Sequence, residues 1–157
     1  MKRASAIFLQ FVLVLIAVAV LFFLLRFPLY EGRNVNATLF QVYFNDPFLV
    51  YVYTASIAFF TALYQAFRLL GCIGKNQVFS PAAVRALRTI KYSALTLIAF
   101  LVGAEAFFFM VMRGKDDIAG GAMLGFIMIF ICVVAVNVAA VFEKNLQSAG
   151  DILEYRD

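Results

Sequence analysis

Within the apolar stretch from Ala94 to Met112 there is one acidic side chain, Glu105. A carboxyl group at bilayer depth can carry a proton, hold a cation or bond a hydroxyl, and an intramembrane acid is a functional candidate by default. Counted at 1.5 Å per residue from Lys91, Glu105 lies ~21 Å along its helix, in the outer half of a bilayer. Ser56 and Thr54 of another helix reach the same level and are its expected partners. The plainer reading is a shallow glutamate that pairs with Arg113 or Lys115.

A second set is polar and uncharged. With depth counted from Ala4, Leu70, Lys91 and Phe142, Gln10 sits ~9 Å deep, and Gln65, Thr96 and Asn137 ~8 Å deep. One such group per helix defines an inner polar layer. Polar groups in hydrocarbon need partners, so the layer either fixes helix register or floors an inward-facing polar cavity.

A third set is cationic. Arg85, Arg88 and Lys91 follow one another at i, i+3, i+6, and Lys75 and Arg68 belong to the same patch. Their type and place suit a lipid-facing or partner-facing surface, since a basic residue near an anionic leaflet contributes about 1 kcal/mol. The two cysteines, Cys72 and Cys132, are single and lie at different depths, so free thiols are expected. There is no histidine. No His/Cys/Asp cluster, phosphate-binding glycine loop or nucleophile–base pair occurs, and intramembrane catalysis needs at least two such groups in reach of each other. No catalytic residue, cofactor or metal ligand is expected, and the chain is read as a non-enzyme.

The elements that carry these residues are transmembrane helices. The chain of 157 residues is 65% hydrophobic and 14% charged, against roughly 45–50% and about 25% in soluble domains. A membrane helix takes ~20 apolar residues, so four helices and their connections fill the length as a single membrane domain. They are expected at about 4–26, 47–70, 81–112 and 119–142. The fold class is all-α: a polytopic four-helix bundle.

Punctuation marks the ends of the helices. The first apolar run passes through the cleavage-like Ala17-Val18-Ala19 and continues to Leu25, so it reads as a retained signal-anchor helix. Pro28 and Gly32 close it. Asp46 caps the second helix and Pro47 opens it; Ser80 and Pro81 do the same for the third. Gly71 and Gly74 are expected to end the second helix. The outer connections are 27–46 and 113–118. In the first of them, Leu39 to Phe44 suits an aromatic interfacial anchor more than a short strand, and Asn36-Ala37-Thr38 matches a glycosylation sequon by chance. The charges of the second cancel. The connection 71–80 is basic, as are Lys2 and Arg3. By the positive-inside rule it is cytoplasmic, as are both termini. The tail 143–157 follows as a polar segment that can continue the fourth helix. The net charge of +4 is thereby accounted for at the membrane surface, and direct nucleic-acid binding is not expected. Gly121 and Gly125 stand at G-x-x-x-G spacing and Ala135 and Ala139 repeat it, which suits close helix packing or a homo-oligomer face.

The central residues resemble those of the bacterial membrane-protein family known as domain of unknown function 2975. The resemblance rests on Ala62-Leu63-Tyr64-Gln65-Ala66-Phe67-Arg68-Leu69-Leu70, then Lys75-Asn76-Gln77-Val78-Phe79-Ser80, then Ala83-Val84-Arg85-Ala86-Leu87-Arg88-Thr89-Ile90-Lys91-Tyr92, and continues to Asp116-Asp117. It implies a small four-helix protein of the bacterial inner membrane without an assigned activity, often encoded beside a small Cro/CI-type helix-turn-helix regulator. The tail residues Gly150-Asp151-Ile152-Leu153-Glu154-Tyr155 also look like the end of such a regulator. The resemblance brings no catalytic or binding residues.

Two functions are compatible with these residues. One is a non-enzymatic regulatory protein that pairs with a cytoplasmic helix-turn-helix regulator through the connection and the tail. The other is an oligomeric small-solute or ion transport module that uses Glu105 and the inner polar layer. Small multidrug exporters are also four-helix proteins, but they carry their essential glutamate in the first helix, which here has no acid.

Overall fold

The computed structural model describes residues 3–30, 38, 40–41, 47–111 and 119–155. Four long helices account for nearly all of them: α1 (Arg3–Tyr30), α2 (Pro47–Gly74), α3 (Pro81–Val111) and α4 (Ala119–Glu154). Each is long and apolar enough to cross a membrane. With 28, 28, 31 and 36 residues, they are about 42 to 54 Å long, against a hydrocarbon core of about 30 Å. All four therefore extend beyond it.

Contacts between helices set their order and direction. Gln10 near the start of α1 bonds Phe67 near the end of α2, and Tyr53 of α2 bonds Leu24 of α1. Tyr51 of α2 reaches Phe100 of α3, and Arg88 of α3 reaches Glu143 of α4. Every successive pair is antiparallel. Packing runs α1 to α2, α2 to α3 and α3 to α4, and among the described residues no other pair packs substantially. The four helices expected from the sequence thus pack as an open row, each against its neighbour in the chain. Lipid tails are as apolar as leucine, so no hydrophobic drive forces the outer helices together. Large apolar side chains consequently cover α1 and α4 on their outsides, Phe22, Phe23, Met123 and Phe130 among them.

Burial is concentrated between α3 and α4. Ala83, Ala86, Ser93 and Ala94 of α3 and Ala122 and Ala139 of α4 are buried, because small side chains let the two backbones approach closely. An apolar cluster of Leu87, Ala139 and Leu146, with Leu69, Val78, Val84 and Ile90 packed on it, joins α2, α3, α4 and the connection. It lies at the end of the molecule that carries Arg3, the 75–80 turn and Glu143, called here the basic end.

The turn there has its own chemistry. α2 runs through Gly71 to Gly74 and stops at Asn76, whose φ of 57° is left-handed. Gln77 N–H donates to Cys72 O at 2.8 Å and Asn76 N–H to Ile73 O at 3.1 Å. This 6→1 and 5→2 pair closes the helix with asparagine in the place glycine usually takes. The glycines serve packing instead: a Cβ at Gly74 would meet Ala6 Cβ at 3.0 Å, and one at Gly71 would meet Gln10 Nε2 at 3.3 Å. Ser80 then caps α3, its Oγ accepting from Ala83 N–H at 3.3 Å, and Pro81 follows at the first helical position.

α1 continues through Pro28 to Tyr30, beyond Arg26. α4 runs about three turns past Phe142, so the polar tail is largely helix. Between α1 and α2 Thr38 and Gln41 cap each other: Thr38 N–H donates to Gln41 Oε1 at 3.1 Å and Gln41 N–H to Thr38 Oγ1 at 3.4 Å. This is the reciprocal box of a helix start, and Phe40 and Gln41 are helical. The expected cap Asp46, the sequon residue Asn36 and the connection with Arg113, Lys115 and Asp116-Asp117 lie outside the described residues.

Candidate functional site

The basic end gathers the charged residues. Arg88 and Lys91, one turn apart on α3, both face α4. Arg88 Nε donates to Glu143 Oε1 at 2.7 Å and Lys91 Nζ to Glu143 Oε2 at 2.6 Å. The Glu143 side chain is 8% exposed, that of Lys91 23% and that of Arg88 50%. The hydrogen bonds from Lys91 and then Arg88 hold the Glu143 carboxyl below its ordinary range. Lys91 Nζ also lies 5.2 Å from the centre of the Tyr92 ring. The clamp ties α3 to α4 just beyond the apolar part of α4, which ends at Phe142.

The five cations of the sequence patch therefore separate. Arg88 and Lys91 are taken up by Glu143. Arg85, one turn earlier, is exposed. Arg68 and Lys75 lie on the other side of the connection, where they line a cavity of about 430 Å³ with Arg3 and Gln10 of α1. Glu143 was not singled out from sequence; its signal is an acid at the end of an apolar run, level with two cations on an antiparallel neighbour. Arg3 likewise drew attention only as a topology marker.

The inner polar layer is only partly joined. Gln10 Nε2 donates to Phe67 O at 3.0 Å and bridges α1 to α2. Thr96 Oγ1 donates to Tyr92 O at 3.0 Å and Asn137 Nδ2 to Val133 O at 2.8 Å, each within its own helix. Both side chains are exposed, and Gln65 is half-buried on α2. An open row has no centre on which four such groups can converge.

Glu105 is buried between α3 and α4, at 6% exposure. It lies against Gly125, where any side chain would overlap its Oε1. Close approach of backbone to carboxylate is what that glycine provides, whereas Gly120 and Gly121 have open space around them. Glu105 Oε2 has no hydrogen-bond partner among the described residues. The hydroxyls expected to serve it are engaged elsewhere: Thr54 Oγ1 donates to Val50 O at 2.8 Å and Ser56 Oγ to Tyr53 O at 2.7 Å, both along α2. On the α2 side of α3, Tyr51 donates to Phe100 O at 2.7 Å and lies against Gly103. A second cavity, about 470 Å³ and mostly apolar, opens there beside Phe48, Tyr51 and Phe107. Cys72 and Cys132 are free thiols. Among the described residues no group of His, Cys, Asp or Glu could hold a metal ion.

Residues 13–154 match a family model described as a protein of unknown function, DUF2975. The chain belongs to this family. The DUF2975 match takes in α2, the turn, α3 and α4, and hence Glu105 and the Glu143 clamp. It begins after Arg3 and Gln10. A curated relative, an uncharacterized membrane protein YoaS of Bacillus subtilis (strain 168), is 40% identical over 159 residues, which span 100% of this chain and 98% of the relative. No solved structure matches. This is thus a multi-pass membrane protein of an uncharacterised family.

Proposed function

We propose that this protein is a non-enzymatic regulatory or interaction protein of the bacterial inner membrane, and that its basic end faces the cytoplasm and pairs with a helix-turn-helix regulator. One observation carries the reading. Helices α3 and α4 extend past their apolar parts and are knitted together there by Leu87 and Leu146, packed beside Ala139, and by the Glu143 clamp. A packed cluster and an ion-pair clamp at the end of the apolar runs suit a platform for another protein more than a conduit. The orientation is supported by the cations: among the described residues Arg3, Arg68, Lys75, Arg85, Arg88, Lys91 and Lys144 fall at the basic end, and Arg26 does not. Arg85 and Lys144, both exposed, flank the clamp and are free for a partner's acidic groups.

The test is a crosslinking pull-down from native membranes with mass spectrometry. Wild type is expected to recover a small helix-turn-helix protein, and Arg85→Glu/Lys144→Glu, with the clamp intact, to lose it. Recovery of this chain alone, or equal recovery from the double variant, refutes the reading.

A second reading, a self-assembled small-solute or ion transport module, is favoured by the unpartnered Oε2 of Glu105. Equal solute or proton flux in liposomes for wild type and Glu105→Gln removes it.

A further inference from the structure

The cavity at the basic end lies between the start of α1 and the end of α2. Its formation follows from two glycines. Gly71 and Gly74 have no Cβ to hold α1 away, so α1 settles on them through Gln10 and Ala6. The cations then face one space from two helices: Arg3 from α1, and Arg68 and Lys75 from α2 and the residue after it. Among the described residues no acid lines this space, and none of the three cations takes part in an ion pair. This distinguishes them from Arg88 and Lys91, whose charge is met by Glu143. Three like charges around one cavity of about 430 Å³ repel each other, and an anion placed between them relieves that repulsion.

The depth of the cavity narrows the choice of anion. It reaches from Arg3 to Gln10, about 10 Å along α1. That interval takes in the headgroup zone and the first part of the hydrocarbon. Gln10 spends one N–H on Phe67 O, which leaves its second N–H and its carbonyl oxygen for a polar ligand. Ile7 and Phe67 also line the cavity and are 58% and 38% exposed, so its rim continues into apolar surface. The lining is cationic at one level, amide-bearing at the next and apolar beside it, which is the polarity sequence of a phospholipid.

We infer that this cavity binds the phosphate of an anionic phospholipid headgroup, with Arg3, Arg68 and Lys75 as its counter-charges and Gln10 as a hydrogen-bonding partner. The site does not depend on any protein partner of α3 and α4.

Cys72 lines the same cavity and is half-buried, whereas Cys132 is buried elsewhere. Cys72 is thus a built-in reporter. The full chain is placed in nanodiscs of phosphatidylcholine, with or without phosphatidylglycerol, and alkylation of Cys72 by N-ethylmaleimide is followed by mass spectrometry. Phosphatidylglycerol is expected to slow the reaction severalfold. Arg68→Gln/Lys75→Gln is expected to weaken lipid affinity about thirtyfold, from about fivefold per charge, and to abolish the protection. The charge-preserving Arg68→Lys/Lys75→Arg is expected to retain it, as is Arg85→Gln outside the cavity. Unreactive Cys132 verifies the fold of each variant. Glycerol 1-phosphate added to phosphatidylcholine nanodiscs identifies the source: protection by it assigns the site to phosphate in general, and protection by the lipid alone assigns it to the lipid. Equal alkylation in every condition overturns the inference. So does loss of protection in Arg85→Gln, which would mean diffuse surface charge.

Discussion

Glu143→Gln isolates the charge of the clamp while keeping its shape. The carboxylate is 8% exposed and accepts one bond from Lys91 and one from Arg88. A hydrogen bond to a charged group contributes about 1.5–3 kcal/mol net. Lys91 is 23% exposed, so its bond belongs to that range; the Arg88 bond, from a half-exposed guanidinium, is left out of the sum. Glutamine keeps one acceptor but places an N–H₂ donor against a cation. The expected loss is about 2 kcal/mol, which for a chain of this size is about 4–8 °C in Tm. The assay is thermal melting in detergent with a thiol-reactive dye in a Cys72→Ser background, where buried Cys132 reports unfolding. The loss should also depend on pH. The folded carboxyl lies below its ordinary value of 4.5, so its contribution is complete above that pH and fades as pH falls through the folded value. Wild type and Glu143→Gln should therefore differ at pH 7 and converge in acid. A difference under about 1 °C at pH 7, against the slope expected for a chain of this size, or one that persists unchanged in acid, refutes the clamp.

Three further outcomes follow from the packing. Gly125→Ala should cost about 1–3 kcal/mol by forcing Glu105 out of place, and adding Glu105→Ala should recover part of it, read as a non-additive Tm in the double variant. Glu105→Met removes a buried oxygen without a partner and should raise stability by about 1–3 kcal/mol, measured by the same melts. Asn76→Gly should be neutral or better, whereas Asn76→Val should cost about 1–2 kcal/mol at a φ of 57°.

The four spans are legible because hydropathy is local: each apolar run is long enough by itself, and Ser80-Pro81 and Pro47 announce where helices begin. The end of α2 is less so. Gly71 and Gly74 look like stop signals, but their lack of a Cβ admits α1, and Asn76 supplies the left-handed residue. The length of α4 is hidden because Glu143, Lys144, Leu146 and Gln147 propagate a helix as readily in water as Val138 does in lipid. Spacing along α3 grouped Arg85, Arg88 and Lys91, and only the register against α4 reveals which two meet Glu143. The partner level proposed for Glu105 came from depth alone. Depth does not specify azimuth, and Glu105 faces α4 while Ser56 and Thr54 bond their own helix.

The placement of the clamp has a mechanical consequence. Lys91 lies about 15 Å from the start of α3 and about 30 Å from its far end. Pinned there to α4, α3 is a lever with unequal arms. A small rotation imposed on the 75–80 turn sweeps the opposite tip through about twice the distance. That tip carries Phe107, on the rim of the apolar cavity beside α2. Because the row is open, that swing is resisted from two sides, by Tyr51 of α2 at Phe100 and by Gly125 of α4 at Glu105.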